Sequence, residues 1–346
     1  MRALAYRGPG RLELEDRPDP EPGAGEVVLE VAACGLCGTD LRIESGQHRA
    51  YGEADGRIPG HEIAGTIAAV GDGVELAEGA PAFVAPNVGC GRCRSCLAGR
   101  VNLCERPGAL GITRDGGFAE RLLLGADLVA QGNVLTIDDR PDLPALALAE
   151  PLACALRGSA ACAIGGDDVV LIVGAGPIGL MHLLVAQLAD PGMIVVSEPS
   201  PERRAEAERF GGGRIVDPQT EDLAEVIAEV SAGRGADVVI TAAPVALAQA
   251  QALELAAPGG RINFFGGLPR DSSRVELDTN LIHYKELIVT GTTANTNADC
   301  SRAVELITSG RIDTAALIGA RVPLSEADRA FETAREGRVM KVVIEP

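Results

Sequence analysis

Two short stretches of this chain hold residue types that bind metal. Cys37-Gly38-Thr39-Asp40 and Pro59-Gly60-His61-Glu62 together offer a thiolate, an imidazole and a carboxylate. These are zinc donors, and a catalytic zinc keeps one of its four positions open for water or substrate. Thr39 adds a hydroxyl beside the first candidate ligand. Taken alone, one cysteine and one distant histidine describe a buried structural thiol and a satisfied surface imidazole equally well. A second array changes the balance: Cys90, Cys93, Cys96 and Cys104 follow a Cys-x2-Cys-x2-Cys-x7-Cys spacing. Four thiolates on so short a loop can close around one zinc in tetrahedral geometry, and an all-cysteine site is structural because no position remains for water. The competing reading, unpaired loop thiols or a disulfide pair, suits a reducing compartment poorly.

A third chemical motif is Gly174-Ala175-Gly176-Pro177-Ile178-Gly179. Gly-x-Gly-x-x-Gly alone is a weak signal. Here it follows the apolar run Val169 to Val173 and opens an apolar helical stretch from Leu180 to Leu188. That context lets a pyrophosphate approach a helix N-terminus. Glu198 ends the next strand, Met193 to Ser197. An acid there accepts hydrogen bonds from both adenosine ribose hydroxyls and repels a 2′-phosphate, which favours NAD over NADP. Arg203 opposes this, since its guanidinium could bind a phosphate; the alternative for Arg203 is a solvated charge between Glu202 and Arg204.

The elements that must position these groups fall into two textures. Residues 1 to 33, and the runs Ile63 to Gly71 and Pro81 to Pro86, read as strands broken by glycine and proline turns. Near residue 145 an apolar helical stretch begins, interrupted by Pro151 and carrying Glu150. On residue type alone Glu150 caps a helical turn starting at Pro151. From Asp168 strands and helices alternate: strands at 169–173, 193–197, 214–216, 237–241, 261–265 and 286–290, with helices at 201–210, 221–230 and 246–255 between them. Such alternation predicts a doubly wound parallel sheet. After residue 293 come helices at 300–309 and 324–337 and a closing strand at 339–344, which returns to the first domain. His182, on an apolar helix face, and His283, beside Tyr284 and Lys285, read as structural.

Composition narrows the class. The chain has 346 residues, 46% hydrophobic and 23% charged, enough for two domains with separate cores. A net charge of -18 argues against nucleic-acid or anionic-membrane partners. The N-terminal residues lack the apolar core of a signal peptide, and the apolar runs are short for a bilayer span. A cytoplasmic protein is expected, in which nine cysteines serve metal binding better than disulfides.

Taken together, these residues resemble the zinc-dependent medium-chain alcohol dehydrogenase family, in its sorbitol (polyol) and threonine dehydrogenase branch. The likeness rests on Cys-Gly-Thr-Asp at 37 to 40, Gly-His-Glu at 60 to 62, the four-cysteine lobe, Ala-Glu-Pro-Leu-Ala at 149 to 153 and the fingerprint at 174 to 179. It implies an α/β chain. Residues 1–150 and 294–346 would form a GroES-like β-rich catalytic domain with a structural zinc lobe at about 88–106, and 151–293 a Rossmann coenzyme domain. It also implies two zinc ions per chain and NAD as cofactor. Cys37, His61, Glu62 and Glu150 match the catalytic zinc positions, with Glu62 ligating directly or through water and Glu150 where other members have a second cysteine. Cys90, Cys93, Cys96 and Cys104 match the structural site.

The implied reaction is hydride transfer from a secondary alcohol (a polyol, sugar alcohol or cyclitol) to NAD, giving a ketone. An amino alcohol such as L-threonine is the alternative substrate. A non-catalytic zinc and nucleotide-binding relative is the competing class, and the zinc-free quinone-reducing branch is disfavoured by the cysteine lobe. Thr39 matches the family's proton-accepting hydroxyl. Many relatives carry a histidine three residues later, but this chain has Arg42, which cannot act as a base. His48, the cofactor ribose, or Glu62 and water then substitute, and Arg42 becomes a candidate contact for cofactor phosphate. Self-association as a homotetramer or dimer, through strands near 280–292, is expected from the same likeness.

Overall fold

The structure is a computed structural model, and it describes residues 1–52, 56–138 and 140–346. The chain divides into two compact units, Met1–Ala153 with Ala294–Pro346, and Cys154–Thr293. The division falls inside a continuous helix, Ala149–Cys162, near its start. Glu150 lies in the first turn of that helix, which begins two residues before Pro151, so proline neither interrupts nor starts it. Its missing N–H costs nothing there, because first-turn amides have no intrahelical acceptor.

The first unit is built on a seven-stranded sheet whose centre is the ten-residue strand Val27–Leu36. Its Val-rich sequence suits a buried pleated strand. It pairs antiparallel with Glu62–Val70, bringing Gly35 opposite Glu62 and Cys34 opposite Ile63. On its other edge the closing strand Lys341–Glu345 pairs antiparallel, with Val342 opposite Leu36. Cys37, Glu62 and Lys341 therefore gather at one end of three adjacent strands. Leu29, Ile63, Phe118, Leu124, Phe331 and Ile344 belong to the core beneath.

The second unit holds a six-stranded parallel sheet. Its strands Val169–Val173, Met193–Ser197, Arg214–Val216, Ala236–Thr241, Ala256–Phe264 and Ile288–Thr290 lie in spatial order third, second, first, fourth, fifth, sixth. That is the doubly wound dinucleotide-binding order. The last strand starts two residues later than its composition suggests, because Glu286 sits at φ 51°, outside strand geometry. The fifth starts five residues earlier, running through Pro258 and two glycines. Among the described residues no helix is long and apolar enough to cross a membrane.

Candidate active site

Cys37 ends the central strand and caps the helix Gly38–Glu44. Asp40, three residues into the cap, accepts from the Cys37 amide at 2.9 Å and so fixes the turn that presents the thiol. The other oxygen of Asp40 accepts from the Gly60 amide at 3.3 Å and lies 3.6 Å from His61 Nδ1. Asp40 is fully buried. It thus ties two segments twenty residues apart and sets a negative charge beside the His61 imidazole. The motif contained this residue, and the capping-box spacing was the signal for it.

The candidate ligand atoms of Cys37, His61 and Glu62 all lie within 4.8 Å of one another. Glu62 is fully buried, and both its oxygens accept from Lys341 Nζ at 2.6 Å. A Cβ on Gly35 would fall 2.0 Å from Glu62 Oε2, so only glycine leaves room for the carboxylate. Lys341 also donates to Leu36 O at 3.0 Å. Burial opposes its charge, but Glu62 and the Cys37 sulfur outweigh that and raise its pKa. His61 behaves alike: burial lowers it, yet Asp40 and Cys37 hold it well above its ordinary value. A metal entering here would displace that proton, since imidazole ligates in its neutral form.

Glu150 falls outside this three-residue set. It is buried, its Oε1 accepts from Asn295 Nδ2 at 2.6 Å, and its pKa is raised by burial and by the charge of Glu62, against the opposing pull of His61. Lys341 and Asn295 had no local sequence signal. Each lies far along the chain from its partner, and only strand pairing or a loop return delivers it.

Thr39 Oγ1 accepts from Arg42 Nη2 at 3.2 Å. Arg42, not His48, is the group bonded to this hydroxyl. His48 Nδ1 accepts from the Ala50 amide at 3.3 Å. Burial, Arg42 and Arg49 together lower the His48 pKa, which leaves a neutral imidazole near pH 7.

In the lobe, the sulfurs of Cys90, Cys93, Cys96 and Cys104 lie within 4.8 Å of one another, and none of them is in a disulfide. Amides of Cys90, Cys96 and Arg106 donate to these sulfurs at 3.2 to 3.5 Å. Amides of Cys96 and Glu105 pull Cys93 down to about 6, while burial and Cys93 push Cys96 up to about 12. Four converging sulfurs with amide donors fit a tetrathiolate metal and nothing catalytic.

In the second unit, Gly174 takes φ 102° and Pro177 opens the helix Pro177–Gln187 behind Gly176. A Cβ on Gly179 would meet Gly174 O at 1.9 Å, whereas one on Gly176 would meet only Arg203 Nη1 at 3.9 Å. Gly179 is therefore needed for packing and Gly176 leaves a cradle open, the division of labour of a dinucleotide fingerprint. Ile178 follows Pro177 in the first turn of that helix. Glu198 Oε2 accepts from the Ala175 amide at 2.7 Å and Oε1 from the Ser200 amide at 2.9 Å. Glu198, Arg203 and Gly174 line a cavity of about 780 Å³ with Asp222, Ala243 and Leu247. That volume suits a small-molecule or cofactor site. His182 is buried, with Nδ1 3.1 Å from Ser159 Oγ, and His283 is exposed.

Residues 23–133 match the alcohol dehydrogenase GroES-like domain family and residues 177–309 the zinc-binding dehydrogenase family. The L-threonine 3-dehydrogenase of Saccharopolyspora erythraea is 34% identical over 100% of this chain and 99% of its own. The sorbitol dehydrogenase of Halalkalibacterium halodurans is 29% identical over 100% of this chain and 99% of its own. A crystal structure described as a zinc-binding dehydrogenase of Sinorhizobium meliloti, bound to NADP, superposes with a TM-score of 0.91 at 34% identity, covering 100% and 99% of the two chains. An Escherichia coli alcohol dehydrogenase complexed with NADH gives 0.91 at 28% identity over the same shares. A GroES-like unit joined to a Rossmann-like unit is this chain's fold, and the chain belongs to the zinc-dependent medium-chain alcohol dehydrogenase family.

Proposed function

We propose that this protein is an NAD-dependent zinc dehydrogenase that oxidises a secondary alcohol of the polyol, sugar-alcohol or cyclitol class to its ketone. The observation that carries the reading is the convergence of Cys37, His61 and Glu62 within 4.8 Å. Cys37, His61 and Glu62, with Glu150 beside them, would hold a catalytic zinc, and the four-cysteine lobe a second, structural one. When bound, zinc would supply Lewis acidity toward the substrate hydroxyl and NAD would supply the hydride-accepting ring.

The chain's own residues divide the remaining work. Arg42 donates to one lone pair of Thr39 Oγ1, which leaves the other to accept the substrate's hydroxyl proton while the Thr39 proton is passed on. His48, the cofactor ribose, or Glu62 with water would carry the released proton to solvent; burial, Arg42 and Arg49 lower the His48 pKa and favour its proton-accepting form. Glu198 holds the adenosine ribose, and its charge opposes a 2′-phosphate, with Arg203 the counterweight in the same cavity. Glu198→Ala should weaken NAD binding more than NADP binding; equal losses in titrations of both would remove Glu198 from the ribose role. A second reading, oxidation of an amino alcohol, is favoured by the several L-threonine 3-dehydrogenases among the relatives. The edge strand Ile288–Thr290, exposed at Ile288, supports a dimer or tetramer, and a thiolate metal lobe in place of disulfides fits a cytoplasmic location.

The deciding experiment measures metal per chain and NADH formation on polyols, cyclitols and L-threonine, before and after mild chelation. Chelator-sensitive turnover supports the reading and names the substrate class. Tightly held lobe metal without turnover on any substrate moves the protein to the binding class.

A further inference from the structure

Asn295 is fully buried in the first unit, just ahead of the helix Asn297–Thr308. Its Nδ2 donates to Glu150 Oε1 at 2.6 Å and to Glu150 O at 3.1 Å. Its Oδ1 accepts from Asn87 Nδ2 at 2.8 Å and from Cys300 Sγ at 3.4 Å. Two donors on the oxygen side decide which way the amide faces: turned over, it would set oxygen against a carboxylate oxygen and nitrogen against donors. Asn87 is itself held, since Asn133 Nδ2 donates to Asn87 O at 2.8 Å. The backbone under Asn295 is fixed too, because Thr296 and Asp299 form a capping box on the following helix.

Glu150 needs such a clamp. It lies near both Glu62 and His61, close enough for their charges to act on it, yet outside the set of Cys37, His61 and Glu62. A glutamate side chain has three rotatable bonds, and neighbouring Glu62 repels it. Gripping one oxygen and the main-chain carbonyl of the same residue fixes the carboxylate at the edge of the set.

We propose that Asn295 is the positioning residue of Glu150: its amide, oriented by Asn87 and Cys300, holds the carboxylate at the edge of the catalytic metal site, beside Cys37, His61 and Glu62. The inference rests on the reading of that site as zinc-binding. Outer-shell partners of this kind are worth about ten- to hundredfold in metal affinity.

The test is Zn²⁺ competition against a graded series of chelators on the full chain, with the lobe metal counted separately. Asn295→Ala should bind the catalytic zinc about ten- to hundredfold more weakly while keeping the lobe metal. Asn295→Asp, which retains the shape and sets a carboxylate against Glu150, should lose affinity likewise and serves if the alanine variant fails to fold. In a Glu150→Gln background the Asn295→Ala loss should largely vanish, which a general packing role would not produce. Wild-type affinity in both Asn295 variants, or an equal loss in the Glu150→Gln background, overturns the inference while leaving the metal site standing. A wild-type chain that holds only the lobe metal overturns the site reading, and this inference with it.

Discussion

At the scale of single residues, the candidate centre concentrates charge in a buried place and balances it locally. Cys37, Asp40 and Glu62 face His61 and Lys341, and the last two carry raised pKa values because their acidic neighbours outweigh burial. Removing one donor should empty the metal position without disturbing the nucleotide unit. Cys37→Ser is expected to lose the catalytic metal and nearly all turnover while keeping NAD affinity near normal; retained turnover would overturn the ligand assignment. His182 illustrates the opposite case, a histidine with no compensating acid. Burial lowers its pKa from 6.5 to about 3. Above pH 6.5 the residue is neutral in both folded and unfolded chains and costs nothing. As pH falls from 6.5 toward 3 the unfolded chain takes up a proton that the folded chain refuses, so stability is lost across that window. The full shift corresponds to on the order of 5 kcal/mol. His182→Leu should flatten this part of the pH dependence in urea unfolding, and an unchanged slope would show that His182 is protonated in the fold.

At the scale of elements, the turn from Val173 into the helix Pro177–Gln187 separates packing from binding. Gly176→Ala puts a methyl group into open space, so the variant should unfold with the midpoint of the wild type; if that space takes the cofactor pyrophosphate as proposed, it should also bind NAD far more weakly. Gly179→Ala drives a methyl into Gly174 O. It should lose about 1–3 kcal/mol of stability, measured by denaturant midpoint, before any question of binding arises. A reversed pattern would mean that the cradle has been assigned to the wrong glycine. Helix caps follow the same logic: the Cys37 cap carries a candidate ligand and its Asp40 partner, so one local motif both starts a helix and aims a thiol.

At the scale of the whole molecule, the candidate metal ligands and the candidate nucleotide cradle lie in different units, so loss of one ligand should have a local signature. Chelation is expected to raise hydrogen exchange at the 90–104 lobe and around 37–62, leaving the parallel strands 169–173 and 236–241 unchanged. Faster exchange throughout the parallel sheet would sink the idea that metal stabilises only the first unit. The fold class was legible in the sequence, because strand runs with turn residues and alternating strand–helix runs have different periods, and because the cysteine and glycine motifs are local spacings. Helix starts and strand ends were less legible. Pro151 reads as a helix start until the first turn is seen to tolerate it, and Glu286 reads as strand until its positive φ is known. What the sequence alone determined is the inventory of reactive groups and the order of their elements, since ligand spacing and hydrophobic period are properties of neighbouring residues. Only the tertiary structure decided which charges meet. Lys341 reaches Glu62 through antiparallel pairing of the last strand with the central one, and Asn295 reaches Glu150 across 145 positions of chain. Such contacts leave no mark on local composition, because they are set by how distant strands and loops pack.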